Sequence, residues 1–183
     1  MRVLRTVFFV FLASVGFGQK ETFVPANDVS FTVATERRSY RMGEQLVVNY
    51  QITNITNRTV YVPREWDARC PPSPHIWAWF KNSSGRDLVP GYAGDCSPAQ
   101  QSIAERIKKE AVLLKAGQHL RGHVVLDTSL FGGLKPGAYR IEAVLYGWND
   151  KDLNEQQQSE LQKLPAPLLR GEVPASTRIT LTP

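Results

Sequence analysis

The chain has 183 residues, and several residue types and patterns are scarce in it. It holds only two cysteines, Cys70 and Cys96, and no Cys-x-x-Cys pair, which argues against a dithiol redox role. It holds three histidines, His75, His119 and His123, and neither a His-Glu-x-x-His nor a Gly-x-Ser-x-Gly motif, so the familiar metallohydrolase and serine-hydrolase signatures are missing. Phe131–Gly132–Gly133 runs into a turn and a strand pattern instead of a helix, so no glycine loop is placed to cradle a phosphate. After the first twenty residues no apolar run approaches the about 20 residues that a membrane-spanning helix needs. The 22 basic and 17 acidic residues are intermixed, as in Glu105–Arg106 and Lys109–Glu110, with no basic stripe of the kind that binds nucleic acid. Internal repeats and low-complexity tracts are also lacking.

The N-terminus is the exception to this apolar scarcity. Arg2 and Arg5 precede the run Val7–Phe8–Phe9–Val10–Phe11–Leu12–Ala13, and Gly16 and Gly18 supply small residues at −3 and −1 of a cleavage before Gln19. This is the layout of a secretory leader over residues 1–18, and it predicts an exported protein, periplasmic or extracellular, with no membrane span after cleavage. Loss of Arg2 and Arg5 lowers the net charge from +5 to about +3. The remaining chain, 19–183, suits a single domain with its own core. In that compartment Cys70 and Cys96 are expected to form one disulfide, closing a loop of about 25 residues at a gain of about 3 kcal/mol.

Period-2 alternation dominates the rest. Val29, Phe31 and Val33 share one face, Leu46, Val48, Tyr50 and Ile52 another, and Val60–Tyr61–Val62 ends at Pro63. His75–Ile76–Trp77–Ala78–Trp79–Phe80 carries large apolar groups on both faces, and Asp87–Leu88–Val89 is a returning partner beyond the Ser83–Ser84–Gly85 turn. Ser97–Pro98 is a helix-start signal. Ala111–Leu114 reads as a strand, Leu120, Val124 and Leu126 mark the next, and Tyr139, Ile141, Ala143 and Leu145 mark another. Leu153, Leu161 and Leu164 suggest a short helix ending before Pro165, and Ile179 and Leu181 face inward from a closing strand. The expected fold is all-β: an antiparallel two-sheet Ig-like sandwich of seven to nine strands, with one or two short surface helices and a long insertion over 147–171. Tyr50, Ile141 and Ile179 should meet in its interior.

Two patches carry a family resemblance. Leu134–Lys135–Pro136–Gly137–Ala138–Tyr139, followed by alternation, resembles the tyrosine corner of immunoglobulin-like and fibronectin type III-like sandwiches, in which the tyrosine hydroxyl bonds backbone a few residues upstream. Tyr40–Arg41–Met42–Gly43–Glu44, then alternation into Asn54, resembles the early strands of bacterial exported Ig-like modules and of the BsuPI-type proteinase-inhibitor sandwich. The resemblance implies architecture, with Pro136, Gly137 and Tyr139 as the corner, and transfers no functional residue.

The aromatic residues are the main candidates for contact. Trp77 and Trp79 share one face of their strand, opposite Ile76, Ala78 and Phe80, and only one face can enter a two-sheet core. The expectation is that the Cys70–Cys96 loop and the 147–171 segment fold over the tryptophans; the alternative is an exposed platform for a sugar ring or a protein. Tyr92 and Trp148 lie in the flanking loops and complete the binding candidates. His119 and His123 on a strand stand roughly 13 Å apart, too far to share one ion, so no metal is expected. Of the carboxylates, Glu142 and Asp127 are expected on neighbouring strands, as solvated surface groups. Asn54, Asn57 and Asn82 begin acceptor sequons but read as polar turn residues. The sequence therefore predicts a secreted, non-catalytic module without cofactor, binding a protein or envelope glycan through loops on a rigid sandwich. A carbohydrate-binding module using Trp77 and Trp79, a proteinase inhibitor and an unrecognised enzyme are the alternatives.

Overall fold

The computed structural model describes residues 21–64, 75–89, 103–149 and 153–183. The leader, Cys70, Cys96, Tyr92 and Ser97–Pro98 lie outside them. In chain order the strands are β1 (Phe23–Val24), β2 (Val29–Thr35), β3 (Ser39–Arg41), β4 (Gln45–Asn54), β5 (Val60–Pro63), β6 (Ile76–Asn82), β7 (Asp87–Leu88), β8 (Ala111–Leu114), β9 (His119–Asp127), β10 (Gly137–Tyr146), β11 (Leu168–Leu169) and β12 (Glu172–Thr182). Helix α1 (Ile103–Glu110) precedes β8, and α2 (Glu155–Gln162) precedes β11.

The architecture is an all-β sandwich with more sheet than the alternation patterns suggest. A five-stranded sheet, β3-β12-β10-β6-β7, packs over a three-stranded sheet, β2-β4-β9, and a four-stranded sheet, β1-β11-β5-β8, whose Val24, Val60, Val62, Leu114 and Leu169 also enter the main core. Two expectations need correction here. Among the described residues the sheets number three, and the twelve strands include two-residue pieces whose patterns are too short to read. The pairing is also mixed: β3 runs parallel to β12, and β11 runs parallel to both β1 and β5. The first parallel pair arises because the chain changes sheet between β2 and β3, a device that closes the corner of a sandwich.

Alternation places the core as period-2 logic requires. Phe31, Val48, Tyr50, Ile52, Phe80, Ile141, Leu145, Ile179 and Leu181 are buried together, so Tyr50, Ile141 and Ile179 do share one interior. Phe80, fully buried, meets Phe131 edge-on (centroids 4.7 Å apart, 86°) and Tyr139 at 5.9 Å. Tyr139 donates its hydroxyl proton to the Lys135 carbonyl at 2.9 Å and accepts the Lys135 N–H at 3.0 Å. These two bonds tie off the backbone groups of the turn before β10, where Gly137 takes a φ of +155° that a side chain would disfavour.

Asn54 joins the sheets. Its side chain is fully buried at the end of β4, where Nδ2 donates to the carbonyls of Arg58 (2.7 Å) and Leu114 (3.0 Å) and Oδ1 accepts from the N–H and hydroxyl of Thr56. The β4–β5 bend is thus satisfied by one amide, which is closed to any attachment in the folded chain. Beyond the bend, β5 and β8 pair antiparallel, and the outer side of their sheet is covered by the two helices. Ile107, Trp148, Leu161 and Leu168 form a second, smaller core there. Helix α2 begins at a capping box: Asn154 accepts from Gln157 N–H, and Gln157 accepts from Asn154 N–H. The described parts of the 147–171 insertion, 147–149 and 153–171, therefore form a layer on the four-stranded sheet.

Candidate functional site

Which way β6 faces decides the aromatic question. Ile76, Ala78 and Phe80 point into the core, so Trp77, Trp79 and Lys81 point out from the five-stranded sheet. Inter-strand register then fixes their neighbours. Trp77 stands opposite Val144, which stands opposite Pro174; Trp79 opposite Glu142 and then Ser176; Lys81 opposite Arg140 and then Arg178. Tyr146, opposite Glu172, continues the row on β10. The outer face thus carries an aromatic end built from Tyr146, Trp77, Trp79, Val144 and Pro174, and a cationic end built from Lys81, Arg140 and Arg178.

The aromatic end is half-sheltered. Trp77, Trp79 and Tyr146 are half-buried, and Val144 is buried between its cross-strand neighbours. Trp79 Nε1 donates to Asp87 Oδ1 at 2.8 Å across the β6–β7 hairpin. That bond, helped by Lys81 at 3.4 Å, holds the Asp87 carboxyl below the usual aspartate range. Tyr146 is shifted the other way: burial first, and the Glu172 charge second, push its phenol above the usual tyrosine value.

Of the two segments expected to cover the tryptophans, only part of the 147–171 segment lies within the described residues. The described part of the 147–171 segment builds the second core, and that cluster contains neither Trp77 nor Trp79. Trp148 is 5% exposed within it, so it is a packing residue and not a contact residue. The period of a single strand could not reveal this, because Trp148 is drawn in by its bridge to Arg170 on the far side of the insertion. Tyr92 and the Cys70–Cys96 pair lie outside the described residues. His119, Arg121 and His123 are exposed on the outer side of β9, with Arg121 Nε donating to Gln51 at 2.9 Å. Glu142 and Asp127 do not meet: β10 and β9 belong to different sheets.

A polar pair that alternation does not show lies beside Trp148. His75 Nδ1 is 2.9 Å from the Tyr146 carbonyl, its Nε2 is 3.2 Å from Glu110 Oε2, and its ring lies 5.1 Å from the Trp148 ring. The carbonyl can only accept, so Nδ1 carries a proton. The pair ties the start of β6 to the end of α1. The only sequence signal for it was a histidine at a strand start.

Comparison with known proteins adds little. No family model matches the chain, and no curated protein matches it. Among solved structures, a β-glucosidase from Erythrobacter marinus aligns with TM-score 0.42 and 15% identity over 84% of this chain, which spans 15% of that enzyme. The CARDB domain of the PF1109 protein from Pyrococcus furiosus, solved with di-metal ions, aligns with TM-score 0.39 and 10% identity, covering 85% of this chain and 88% of that domain. AvmM, which catalyses macrocyclization in alchivemycin A biosynthesis, aligns with TM-score 0.40 and 13% identity over 87% of this chain and 91% of its own. None of these likenesses assigns a function.

Proposed function

We propose that the chain is an exported, non-catalytic binding module whose contact surface is the outer face of the five-stranded sheet, and that a sugar ring stacks there on Trp77 and Trp79. The observation that supports this reading is the placement of both indoles on the solvent side of a rigid sheet, with Trp79 locked by Asp87. An indole held by a hydrogen bond loses little freedom when a ring stacks on it, and its apolar face is matched to the C–H face of a sugar. Burial of Trp148 leaves Trp77 and Trp79 as the aromatic candidates among the described residues, which supports the sheet face over the loops.

A glycan array probed with the purified exported protein tests the proposal. Binding to at least one glycan, lost in Trp77→Ala and in Trp79→Ala while thermal melts stay cooperative, is the expected result. A blank array, or binding unchanged in both variants, overturns it.

A further inference from the structure

The cationic end of the same sheet face has a charge arrangement that folding alone does not explain. Lys81, Arg140 and Arg178 are direct cross-strand partners on β6, β10 and β12. With strands about 5 Å apart, three like charges fall within about 10 Å, and directly opposed like charges destabilise a sheet. A fourth cation, Arg38, stands beside them where the chain crosses from β2 to β3; its carbonyl accepts the Thr180 N–H at 2.8 Å, which fixes its backbone against β12.

Two carboxylates answer two of the four. Glu142 accepts from Arg140 Nε at 2.7 Å and lies 3.8 Å from Lys81 Nζ, which is 3.4 Å from Asp87. Among the described residues the guanidinium groups of Arg38 and Arg178 have no hydrogen-bond or ion-pair partner, and both residues are exposed. All four cations, together with Ser83 and Thr180, line one open cleft of about 570 Å³.

We infer that this cleft binds the oxyanion of an acidic sugar, a ring carboxylate or a sulfate ester. The inference rests on the sheet-face reading above and names the ligand class. Arg38 and Arg178 supply planar donor forks that pair with oxyanions two bonds at a time, and the Ser83 and Thr180 hydroxyls line the same space. Trp79 and Lys81 are two residues apart on one face, about 7 Å, so a ring against Trp79 carries its substituents, or those of the next ring, to the cation row. Four cations within one short cleft suit one or two oxyanions, whereas a nucleic acid backbone needs a longer basic track.

The test is calorimetric titration of the full chain, purified after export with its own leader, against three hexasaccharides: a neutral glucan, an oligogalacturonate bearing carboxylates only, and a heparin fragment bearing sulfates as well. At least one acidic chain should bind about tenfold or more tightly than the neutral one, and the Arg38→Gln/Arg178→Gln double variant should lose about tenfold of that affinity. Arg121→Gln, on the other sheet, should leave it unchanged. Comparing the carboxylate and sulfate arms identifies the oxyanion. The double variant should melt no lower than the parent, since a cross-strand repulsion is relieved. Equal affinity for neutral and acidic chains, no binding to either acidic chain, or full affinity in the double variant overturns the inference. Acidic-chain binding that needs Arg38 and Arg178 but survives Trp77→Ala and Trp79→Ala overturns the stacking reading alone.

Discussion

Trp79 and Asp87 are joined across the β6–β7 hairpin by an indole N–H to carboxylate bond of 2.8 Å. The bond does two things at once. It stops the indole from rotating on the sheet face, and it favours the charged form of Asp87, with a smaller contribution from Lys81. The sign of the pH effect follows. A carboxyl whose folded pKa is depressed stabilises the fold above the ordinary aspartate range, and the gain is lost as pH falls through the lowered value. Following the Trp79 indole N–H resonance by NMR should show a single titration below the usual aspartate range. It should vanish in Asp87→Asn; a flat resonance in the parent down to the acid limit would contradict the bond.

Tyr50 lies over Gly122, its partner on the adjacent strand β9. A Cβ built at 122 would fall 2.3 Å from Tyr50 Oη and 2.4 Å from Cζ, and Tyr50 is buried in the core. The ring therefore takes the space that a side chain at 122 would fill. Gly122→Ala should cost about 1–3 kcal/mol in urea unfolding, as overpacking of a core does. Adding Tyr50→Leu should recover part of that loss, because it removes the clashing atoms; two independent, additive losses would refute the pairing.

Much of this fold is legible in the sequence because alternation and turn chemistry are local. The faces of β2, β4, β9, β10 and β12 follow from residues two apart, and the turn before β10 follows from Pro136–Gly137 with Tyr139. What stays hidden is set by partners distant in sequence. Asn54 looks like one polar turn residue among several, yet it is bonded to Leu114, sixty positions on. Trp148 looks like a loop aromatic, yet Ile107, Leu161 and Leu168 bury it. On the candidate face, the sequence offers Trp77 and Trp79 but leaves their direction open, because both faces of β6 are apolar. The cation row is not visible at all before register sets Lys81, Arg140 and Arg178 side by side.

Asn54 supports a second stability prediction. Asn54→Ala removes four side-chain hydrogen bonds, of which the one to the Leu114 carbonyl is buried and those to Arg58 and from Thr56 are partly buried; the Arg58 carbonyl keeps the Thr56 hydroxyl. An unsatisfied buried group costs about 1–3 kcal/mol and a partly buried one less, so a total loss of about 2 kcal/mol or more is expected from chemical denaturation. Asn54→Asp keeps the acceptor and removes the donor, so it should break the bonds to Arg58 and Leu114 while sparing those from Thr56. Hydrogen exchange should then quicken at Gly117, whose N–H bonds the Asn54 carbonyl, in the alanine variant. Unchanged stability in both variants would show that the bend is held by its backbone alone.

Tyr146 links the aromatic end of the face to a measurable pH effect at the alkaline side. Burial disfavours the phenolate, and Glu172, its cross-strand partner, adds a like charge against it. The folded pKa therefore lies above the unfolded one. In such a case the stabilisation is fully present below the unfolded tyrosine pKa and is lost as pH rises through the folded value, since the unfolded chain gives up its proton first. Phenolate absorbance should accordingly show a component that ionises above the usual tyrosine range, and Tyr146→Phe should remove that component. Glu172→Gln should move it part of the way back, and by less than half, because burial is the larger cause. If the proposed ligand covers this end of the face, its binding excludes further water from Tyr146 and raises the same titration again, whereas a ligand seated only on the cation row leaves it where it was.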